Sequence, residues 1–263
     1  FEVLSTNGDT FLGGDDFDQA IVDYWITQNK LDYNELANNQ ALTQALRLKA
    51  EEAKKALTTQ HLFNDFVDDI PCAITKITFE ELITHKVQQT IDCCKNALQD
   101  AQLSIREIDE VIMVGGSTRT PLIKQTVADF FQKSVHDQIN PDEVVALGAA
   151  IQSDILAGNR KDILLLDVTP LSLGVETMGG LMDVIIPRNS KVPTKAGRQY
   201  TTSVDGQINM KIAVYQGERD LIKENRKLAE FDLKNIPAMP AGLPKVDINF
   251  LLNADGILTV QAH

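Results

Sequence analysis

The chain has 263 residues, of which 43% are hydrophobic and 24% charged, an ordinary composition for a globular protein with room for two modest domains. Its formal net charge of -12 repels phosphate backbones and argues against a nucleic-acid partner. Apolar runs such as 163–166 are far too short to span a bilayer, so we expect no membrane segment either.

Up to about residue 158 the chain has the alternating pattern of an α/β domain. A first helix is predicted to open in the segment 12–18, because its acidic first turn suits the positive end of a helix dipole. Apolar periodicity predicts two longer helices, near 42–59 and near 79–101. Their predicted core residues are Leu46, Ala50, Ala53 and Leu57 in the first, and Leu82, Val87, Ile91 and Leu98 in the second.

A strand, a glycine turn and two more helices are predicted next. Residues 110–114 are typical of a short buried strand, and a Gly-Gly pair separates them from a helix that starts at Pro121. The segment 140–143 (Asn-Pro-Asp-Glu) predicts another helix start, with the Asn140 side chain as its cap. Gly158 is expected to end that helix.

After residue 158 the sequence changes to strands and turns, and a domain boundary is expected near 159–168. Apolar residues alternate with other residues over 208–214 and again over 246–252, as in half-buried strands. Asp205-Gly206 is a two-residue hairpin signal, and the segment 253–256 predicts a further turn. We therefore expect this part to be all-β.

The three cysteines, Cys72, Cys93 and Cys94, form neither an even disulfide framework nor a metal-ligand spacing. Adjacent cysteines suit buried helix positions better than ligation. Free thiols indicate a reducing compartment, and we expect the protein to be cytoplasmic.

The most specific local signal is the segment 114–121, Val-Gly-Gly-Ser-Thr-Arg-Thr-Pro, between a predicted strand and a predicted helix. Two glycines there let the backbone approach a ligand closely, and a helix N-terminus favours anions. The segment is neither a Walker A loop nor a dinucleotide fingerprint, and an ordinary turn remains the alternative interpretation.

A polar stripe lies opposite the core face of the helix predicted near 42–59. Spacings of three, four and seven residues bring an acid, two amines and a hydroxyl together, namely Glu51, Lys54, Lys55 and Thr58. The alternative is a solvated face that carries a Glu51–Lys55 ion pair.

Several segments, in order, resemble the heat-shock-seventy family of chaperones over essentially the whole chain. Those similar to the family's second actin-like lobe are 13–18, 51–54, 114–121, 140–143 and 148–150. Those similar to its linker and β-domain are 164–174 (Leu-Leu-Leu-Asp-Val-Thr-Pro-Leu-Ser-Leu-Gly), 176–180, 216–219 and 255–258.

The resemblance implies an α/β actin-like (ribonuclease H-like) lobe with a helical subdomain, followed by an all-β sandwich. The implied boundaries are 1–158 for the second lobe of the nucleotide-binding domain, 159–170 for the linker, and 171–263 for a C-terminally truncated peptide-binding domain. The implied function is that of an ATP-dependent chaperone that binds extended client peptide under nucleotide control.

Within the family, four segments look closer to HscA, the member dedicated to iron–sulfur cluster assembly, than to the general chaperone DnaK. These segments are 154–159, 186–189, 205–207 with Met210, and 236–242. The stretch 60–78 is also shorter than its counterpart in DnaK. This resemblance implies a role in iron–sulfur cluster biogenesis, and a general DnaK-like chaperone with broad clients is the alternative.

In the family, ATP lies between two lobes, and the second lobe holds mainly the nucleoside. By this resemblance Glu51 and Lys54 are implied to bind the ribose hydroxyls. Lys55 and Arg119 are implied to flank the adenine ring. The other implied nucleotide-binding residues are Gly14, Thr58, Gly115, Gly116, Ser117, Thr120 and Asp142.

The family's cofactor is ATP or ADP with Mg²⁺. Its first phosphate loop, catalytic lysine and magnesium-associated aspartates all precede the position that matches Phe1, and phosphoryl transfer depends on such cation clamps. We interpret the chain as a fragment cut at both ends. We therefore expect it to hold no catalytic or metal-binding residue, to require no cofactor, and to show no meaningful ATPase activity by itself.

The β-part is implied to hold an extended client peptide in an apolar cleft by backbone hydrogen bonds and a central pocket. The implied cleft residues are Val175, Thr177, Met178, Tyr200, Ser203, Met210 and Ile212. The pattern alone favours a different interpretation, in which Val175, Met210 and Ile212 belong to a sandwich core. The linker residues implied to couple the two parts are Leu164, Leu165, Leu166 and Asp167.

The implied partners are a J-domain co-chaperone of the HscB type and an iron–sulfur scaffold protein of the IscU type, or other extended client peptides. An unpaired strand edge and an uncovered cleft also invite self-association through the β-part. Two alternatives from other classes stay open. One is an actin-like sugar kinase with an appended β-module, for which the sequence supplies no acceptor-binding residues, and the other is a stand-alone peptide-binding module.

Overall fold

Two units make up the part of the chain that the structure, a computed structural model, describes, namely residues 1–137, 140, 143–159 and 166–263. One unit comprises residues 7–160 and mixes helices with short strands. The other comprises residues 1–6 together with 161–263 and is built mainly from strands. Each unit has its own hydrophobic core.

Helices dominate the unit of residues 7–160, and the mixed α/β content predicted for this part is confirmed. Its described helices are α1 (Gly14–Gln28), α2 (Tyr33–Asn38), α3 (Gln40–Ala56), α4 (Lys76–Asp100), α5 (Pro121–Phe131) and α6 (Val144–Leu156). The acidic start of α1 is confirmed, and Asp16 Oδ2 accepts a 2.7 Å hydrogen bond from the backbone nitrogen of Gly13. Pro121 opens α5 as predicted, since its missing N–H costs nothing there.

In the described residues α6 starts at Val144. Its N-terminal cap is Glu143, and no side chain caps it. Asn140 contributes its backbone carbonyl, which accepts from the nitrogen of Val144 at 3.1 Å, while its side-chain oxygen accepts from Arg119. Residues 141 and 142, which would follow a capping Asn140, lie outside the described residues, so the capping role of its side chain stays a prediction. The predicted stop at Gly158 is confirmed by its left-handed φ of +80°.

Two small sheets accompany these helices. Strands β1 (Leu62–Val67) and β2 (Ile70–Thr75) form an antiparallel hairpin that the sequence analysis missed. Strand β3 (Val111–Ile112) pairs in parallel with β4 (Val135–His136). The strand predicted over 110–114 is thus shorter than expected, and it is not wholly buried, since Ile112 is 56% exposed.

The core of residues 7–160 lies between α1, α3, α4 and the β1–β2 hairpin. Trp25 is 1% exposed and donates its indole N–H to the carbonyl oxygen of Ala73 at 3.0 Å, which joins α1 to β2. The four predicted core residues of α3 are all buried. On α4 the prediction was partly wrong, because Leu82 and Leu98 are only half-buried. The buried residues of α4 are Phe79, Ile83, Val87 and Ile91.

Two antiparallel sheets share one core in the second unit. The strands are β5 (Leu173–Thr177), β6 (Leu181–Ile186), β7 (Thr194–Tyr200), β8 (Met210–Gln216), β9 (Arg226–Leu233), β10 (Val246–Leu252) and β11 (Leu258–Ala262). One sheet has the order β6-β5-β8-β9 and the other the order β11-β10-β7. Phe250 on β10 is fully buried in the common core, as is Val214 on β8 at 1% exposure.

The predicted alternation on β10 is confirmed, since the residues at 246, 248, 250 and 252 are all buried. The segment 253–256 forms the turn between β10 and β11 as predicted. The hairpin predicted at Asp205-Gly206 is wrong. A turn does occur there, but it connects β7 to β8, which lie in different sheets.

Candidate functional site

Three segments that are far apart in sequence meet at the N-terminus of α1. Lys54 on α3 donates from Nζ to the carbonyl oxygen of Gly14 at 3.0 Å. A Cβ atom placed on Gly14 would lie 3.2 Å from Lys54 Nζ and 3.3 Å from Ser117 Oγ. Lys54 of the polar stripe and Ser117 of the glycine turn of 114–121 therefore both lie beside Gly14.

The polar stripe on α3 stands where helical spacing places it, opposite the buried face of the helix. Glu51 and Lys55 form an exposed ion pair at 2.6 Å, and the bond from Lys55 lowers the pKa of Glu51. The Thr58 hydroxyl donates to the backbone oxygen of Lys55 at 2.7 Å. Three side chains of the stripe, Glu51, Lys55 and Thr58, are thus presented to solvent beside Lys54. Their present contacts are weak, so they can readily be replaced by contacts with other groups.

The glycine turn has a shape that explains its composition. Gly115 adopts a φ of +91°, which a residue with a side chain rarely adopts. Residues 116–119 then form one 3-10 turn, held by the Thr118 hydroxyl, which donates to the Gly115 oxygen at 2.6 Å. Gly116 is exposed, so its backbone is open to a ligand. Thr120 is 3% exposed and is the residue that directly precedes α5.

The Arg119 guanidinium donates to the side-chain oxygen of Asn140 at 3.3 Å. This contact connects the turn to the segment that precedes α6. Asp142, the last of the predicted nucleotide-binding residues, lies outside the described residues.

Asp18 is the member of this site that the sequence analysis missed. It accepts from Lys54 Nζ through Oδ2 at 2.8 Å, although the residue is only 8% exposed. Its other oxygen, Oδ1, is buried without a hydrogen-bond partner among the described residues. Burial raises the pKa of Asp18, and the bond to Lys54 opposes that rise. A signal was present, because 18, 21, 22 and 25 share a helical face and the other three are apolar.

The predicted cleft residues of the β-unit fall into two groups. Val175 and Ile212 are buried in the core that both sheets share, and Tyr200 and Met210 are partly buried against it. The other three lie towards the surface. Met178 is 80% exposed in the β5–β6 turn, Ser203 is exposed, and Thr177 donates its hydroxyl to the Leu181 oxygen at 3.2 Å.

Tyr200 makes a polar contact between the two sheets. Its hydroxyl donates to Asp183 Oδ2 on β6 at 2.8 Å, while Arg198 forms an ion pair with the same carboxylate. Burial and the neighbouring carboxylate raise the pKa of Tyr200. Because β6 and β7 are edge strands of different sheets, Asp183 fastens one sheet to the other.

The described part of the predicted linker pairs with the first residues of the chain. The Leu166 nitrogen donates to the Phe1 oxygen, and the Leu166 oxygen accepts from the Val3 nitrogen, both at 2.9 Å. The Asp167 carbonyl accepts from the Val192 nitrogen at 3.0 Å, and its carboxylate accepts from the Val168 nitrogen at 2.8 Å. Leu164 and Leu165 lie outside the described residues.

The described residues offer neither a metal site nor a membrane-spanning helix. Within those ranges, no group of three or more His, Cys, Asp or Glu side chains is arranged to hold a metal ion. No helix in the same ranges has the length and apolar character needed to cross a membrane.

Comparison with known proteins identifies the family of the chain. The family model described as Hsp70 protein matches residues 1–263. The chaperone protein DnaK of Psychrobacter cryohalolentis is 44% identical over 273 aligned residues, which cover 100% of this chain and 42% of that protein. The chain thus spans about two fifths of the length of the curated relative it matches.

Proposed function

Because the chain belongs to the Hsp70 protein family, we propose that it is part of an ATP-dependent molecular chaperone that binds extended client peptides under nucleotide control. The 44% identity to a DnaK over the whole chain supports the general, DnaK-like form of this function. In that form the protein assists the folding of many clients.

The observation that carries the proposal is the meeting of Gly14, Lys54 and Ser117 around one space. We assign this space to the nucleoside of ATP or ADP. An ammonium group has three N–H donors, and Lys54 uses two of them on Gly14 and Asp18, with no third partner among the described residues. The remaining donor suits a ribose hydroxyl, and the neighbouring Glu51 carboxylate suits a second one.

The other contacts of the nucleoside follow from the surface around this space. The alkyl stem of Lys55 and the guanidinium of Arg119 flank the adenine, and the Thr58 hydroxyl rotates from its own helix to meet the polar edge of the ring. The open backbone at Gly115 and Gly116 approaches ribose and phosphate. Mg²⁺ belongs to the nucleotide in this proposal, and none of the described residues is assigned to it.

The β-unit binds the client in this proposal. Met178 is the residue best suited to a variable partner, because it is exposed and a thioether adapts to different side chains. Tyr200 and Met210 form a partly buried wall, and Val175 and Ile212 form its floor. Thr177 and Ser203 lie at the rim.

Coupling between nucleotide and client is assigned to the segment 164–167. Asp167 supports this role, since its carbonyl and its carboxylate both bind backbone groups that lead into β5 and β7. Leu164, Leu165 and Leu166 supply the apolar part of the segment. The proposed partner that stimulates this cycle is a J-domain co-chaperone, and the proposed compartment is the cytoplasm.

A role in iron–sulfur cluster biogenesis is the second candidate, with partners of the HscB and IscU types. Two segments that resemble HscA contact each other, which is the observation in its favour. The Ala241 nitrogen donates to Asp205 Oδ1 at 2.7 Å, and the Gly206 nitrogen donates to the Met239 oxygen at 2.9 Å. Anisotropy with a labelled Leu-Pro-Pro-Val-Lys peptide and with a generic aliphatic peptide separates the candidates, because only the iron–sulfur form prefers the first.

Calorimetric titration of the 263-residue chain with ADP tests the nucleoside site. We expect saturable binding that Lys54→Met weakens about tenfold, since a charge-assisted hydrogen bond is lost. Lys95→Met, which removes an exposed lysine on α4, is the matched control and leaves the affinity unchanged. The proposal fails if the wild-type chain shows no saturable binding, or if both variants lose affinity equally.

A further inference from the structure

Structural stability alone does not explain why a carboxylate stands at the buried position 18. The residue is 8% exposed, and its Oδ1 atom is buried without a partner among the described residues. An unpaired buried acceptor costs free energy, and native proteins retain few of them. A neutral or apolar side chain would avoid this cost, so the carboxylate at this position has a use outside the core.

The contacts of Lys54 indicate what this use is. The lysine side chain has four rotatable bonds and reaches the site from α3, so its ammonium group has no fixed position of its own. Asp18 Oδ2 at 2.8 Å and the Gly14 oxygen at 3.0 Å hold Nζ from two sides. The third N–H stays available, and Nζ lies 3.2 Å from the position that a Cβ on Gly14 would occupy, which is itself 3.3 Å from Ser117 Oγ.

We propose that Asp18 is a positioning residue, which fixes the Lys54 ammonium in the orientation that distinguishes a ribose from a deoxyribose. This inference rests on the proposed nucleoside site. Asp18 touches no ligand in it. The carboxylate acts through Lys54, and its loss frees the ammonium to turn into solvent, where it still attracts phosphate but no longer selects a hydroxyl.

The test compares ADP with 2′-deoxy-ADP and 3′-deoxy-ADP in calorimetric titrations of the 263-residue chain. We expect the wild-type chain to prefer ADP about tenfold over at least one deoxy analogue, the value of one hydrogen bond to a charged group. Asp18→Asn keeps the shape of the side chain and should reduce that preference to about twofold. Asp23→Asn, an exposed position on the same helix, is the control and should retain the full preference.

A second variant separates position from charge. Asp18→Glu keeps the negative charge but displaces it by one methylene. If Asp18 positions Lys54, this variant should lose the preference for ADP; if Asp18 only neutralises the charge of Lys54, the variant should keep that preference. Fluorescence of Trp25, the single tryptophan, verifies that each variant is folded. Should Asp18→Asn not fold, Asp18→Glu decides the question.

Each outcome bears on a different claim. If the wild-type chain binds ADP and discriminates, but folded Asp18→Asn or Asp18→Glu discriminates equally well, the positioning role is refuted and the nucleoside site stands. Where the wild-type chain binds ADP without discriminating, Lys54 does not select the ribose and the inference is wrong. If no ADP binds at all, the proposed function and this inference fall together.

Discussion

Lys54 Nζ and the carbonyl oxygen of Gly14 lie 3.0 Å apart, and this hydrogen bond joins α3 to the first residue of α1. It brings a charged side chain to a helix N-terminus, where the backbone already favours anions. Asp18 pairs with this lysine, and Asp15 and Asp16 belong to the same first turn, so the site combines charges of both signs.

Gly14→Ala should weaken ADP binding about fivefold, because its new Cβ would lie 3.2 Å from Lys54 Nζ and 3.3 Å from Ser117 Oγ. Both neighbours are side-chain ends that can shift, so we expect the free energy of unfolding to change by less than about 1 kcal/mol. Calorimetry and urea unfolding provide the two measurements. Gly13→Ala is the control, since no atom lies within 4 Å of its Cβ, and equal effects of the two variants would contradict the prediction.

Asp18 should give the unit of residues 7–160 a specific pH dependence. Burial raises the pKa of Asp18 above its ordinary 3.8, against the opposing bond from Lys54 and with minor contributions from Glu51 and Asp15. The folded state then binds this proton more tightly than the unfolded state. Its contribution to stability is therefore largest below pH 3.8 and is lost as pH rises through the folded pKa.

As the pH rises above 3.8, the free energy of unfolding of the wild-type chain should fall relative to that of Asp18→Asn, which cannot titrate. Urea unfolding at several pH values, followed by Trp25 fluorescence, measures the difference. Parallel curves for the two proteins would mean that Asp18 has the same proton affinity in the folded and unfolded states.

Gly174→Ala should destabilise the β-unit by about 3 kcal/mol, since a Cβ on Gly174 would lie 2.2 Å from the backbone oxygen of Asp183. Neither backbone can move away, because β5 and β6 are paired there beside a register shift. Gly148→Ala is the comparison, with open space around its Cβ within α6, and should stabilise by roughly 0.5–1 kcal/mol. Chemical denaturation of both variants tests this, and a destabilisation by Gly174→Ala as small as that of a surface substitution would refute it.

Phe250→Ala should destabilise the β-unit without affecting the stability of residues 7–160, because Phe250 belongs to a core that is separate from that of Trp25. Removal of a fully buried phenylalanine costs about 3–5 kcal/mol. Circular dichroism should detect an earlier transition, while the transition followed by Trp25 fluorescence keeps its midpoint. Phe79→Ala is the reciprocal variant and should shift only the Trp25 transition; coincident shifts would show that the cores unfold together.

Cys72 should resist thiol reagents in the folded protein. Burial raises the pKa of its thiol to about 11, so the thiolate fraction at pH 8 is about a hundredfold smaller than for a thiol with the ordinary value of 9.0. Labelling of a Cys93→Ser, Cys94→Ser variant isolates this thiol. Its reaction rate should rise by at least that factor in urea, and equal rates with and without urea would contradict the prediction.

Much of the helical part could be predicted because its determinants are local. The acidic start of α1, the proline of α5, the left-handed Gly158 and the buried face of α3 follow from dihedral preference and helical spacing, which neighbouring residues decide. The alternation on β10 is local in the same sense, and it was predicted correctly for that reason.

Errors occurred where a distant partner decides the outcome. Asp205-Gly206 has the composition of a hairpin turn, yet strand order, which depends on pairing across the whole unit, places β7 and β8 in different sheets. The half-burial of Leu82 and Leu98 likewise reflects what packs against α4, which periodicity cannot specify.

By itself, the sequence determined the family, the main helices, the glycine turn and the polar stripe of α3, because each of these features depends on a short run of residues. Only the tertiary structure decided that Lys54, Gly14 and Ser117 share one space and that Asp18 holds the lysine there. The physical reason is that the two kinds of interaction act over different distances along the chain. Backbone preference acts over one or two turns, whereas a binding site forms where packing brings together side chains that the sequence keeps tens of residues apart.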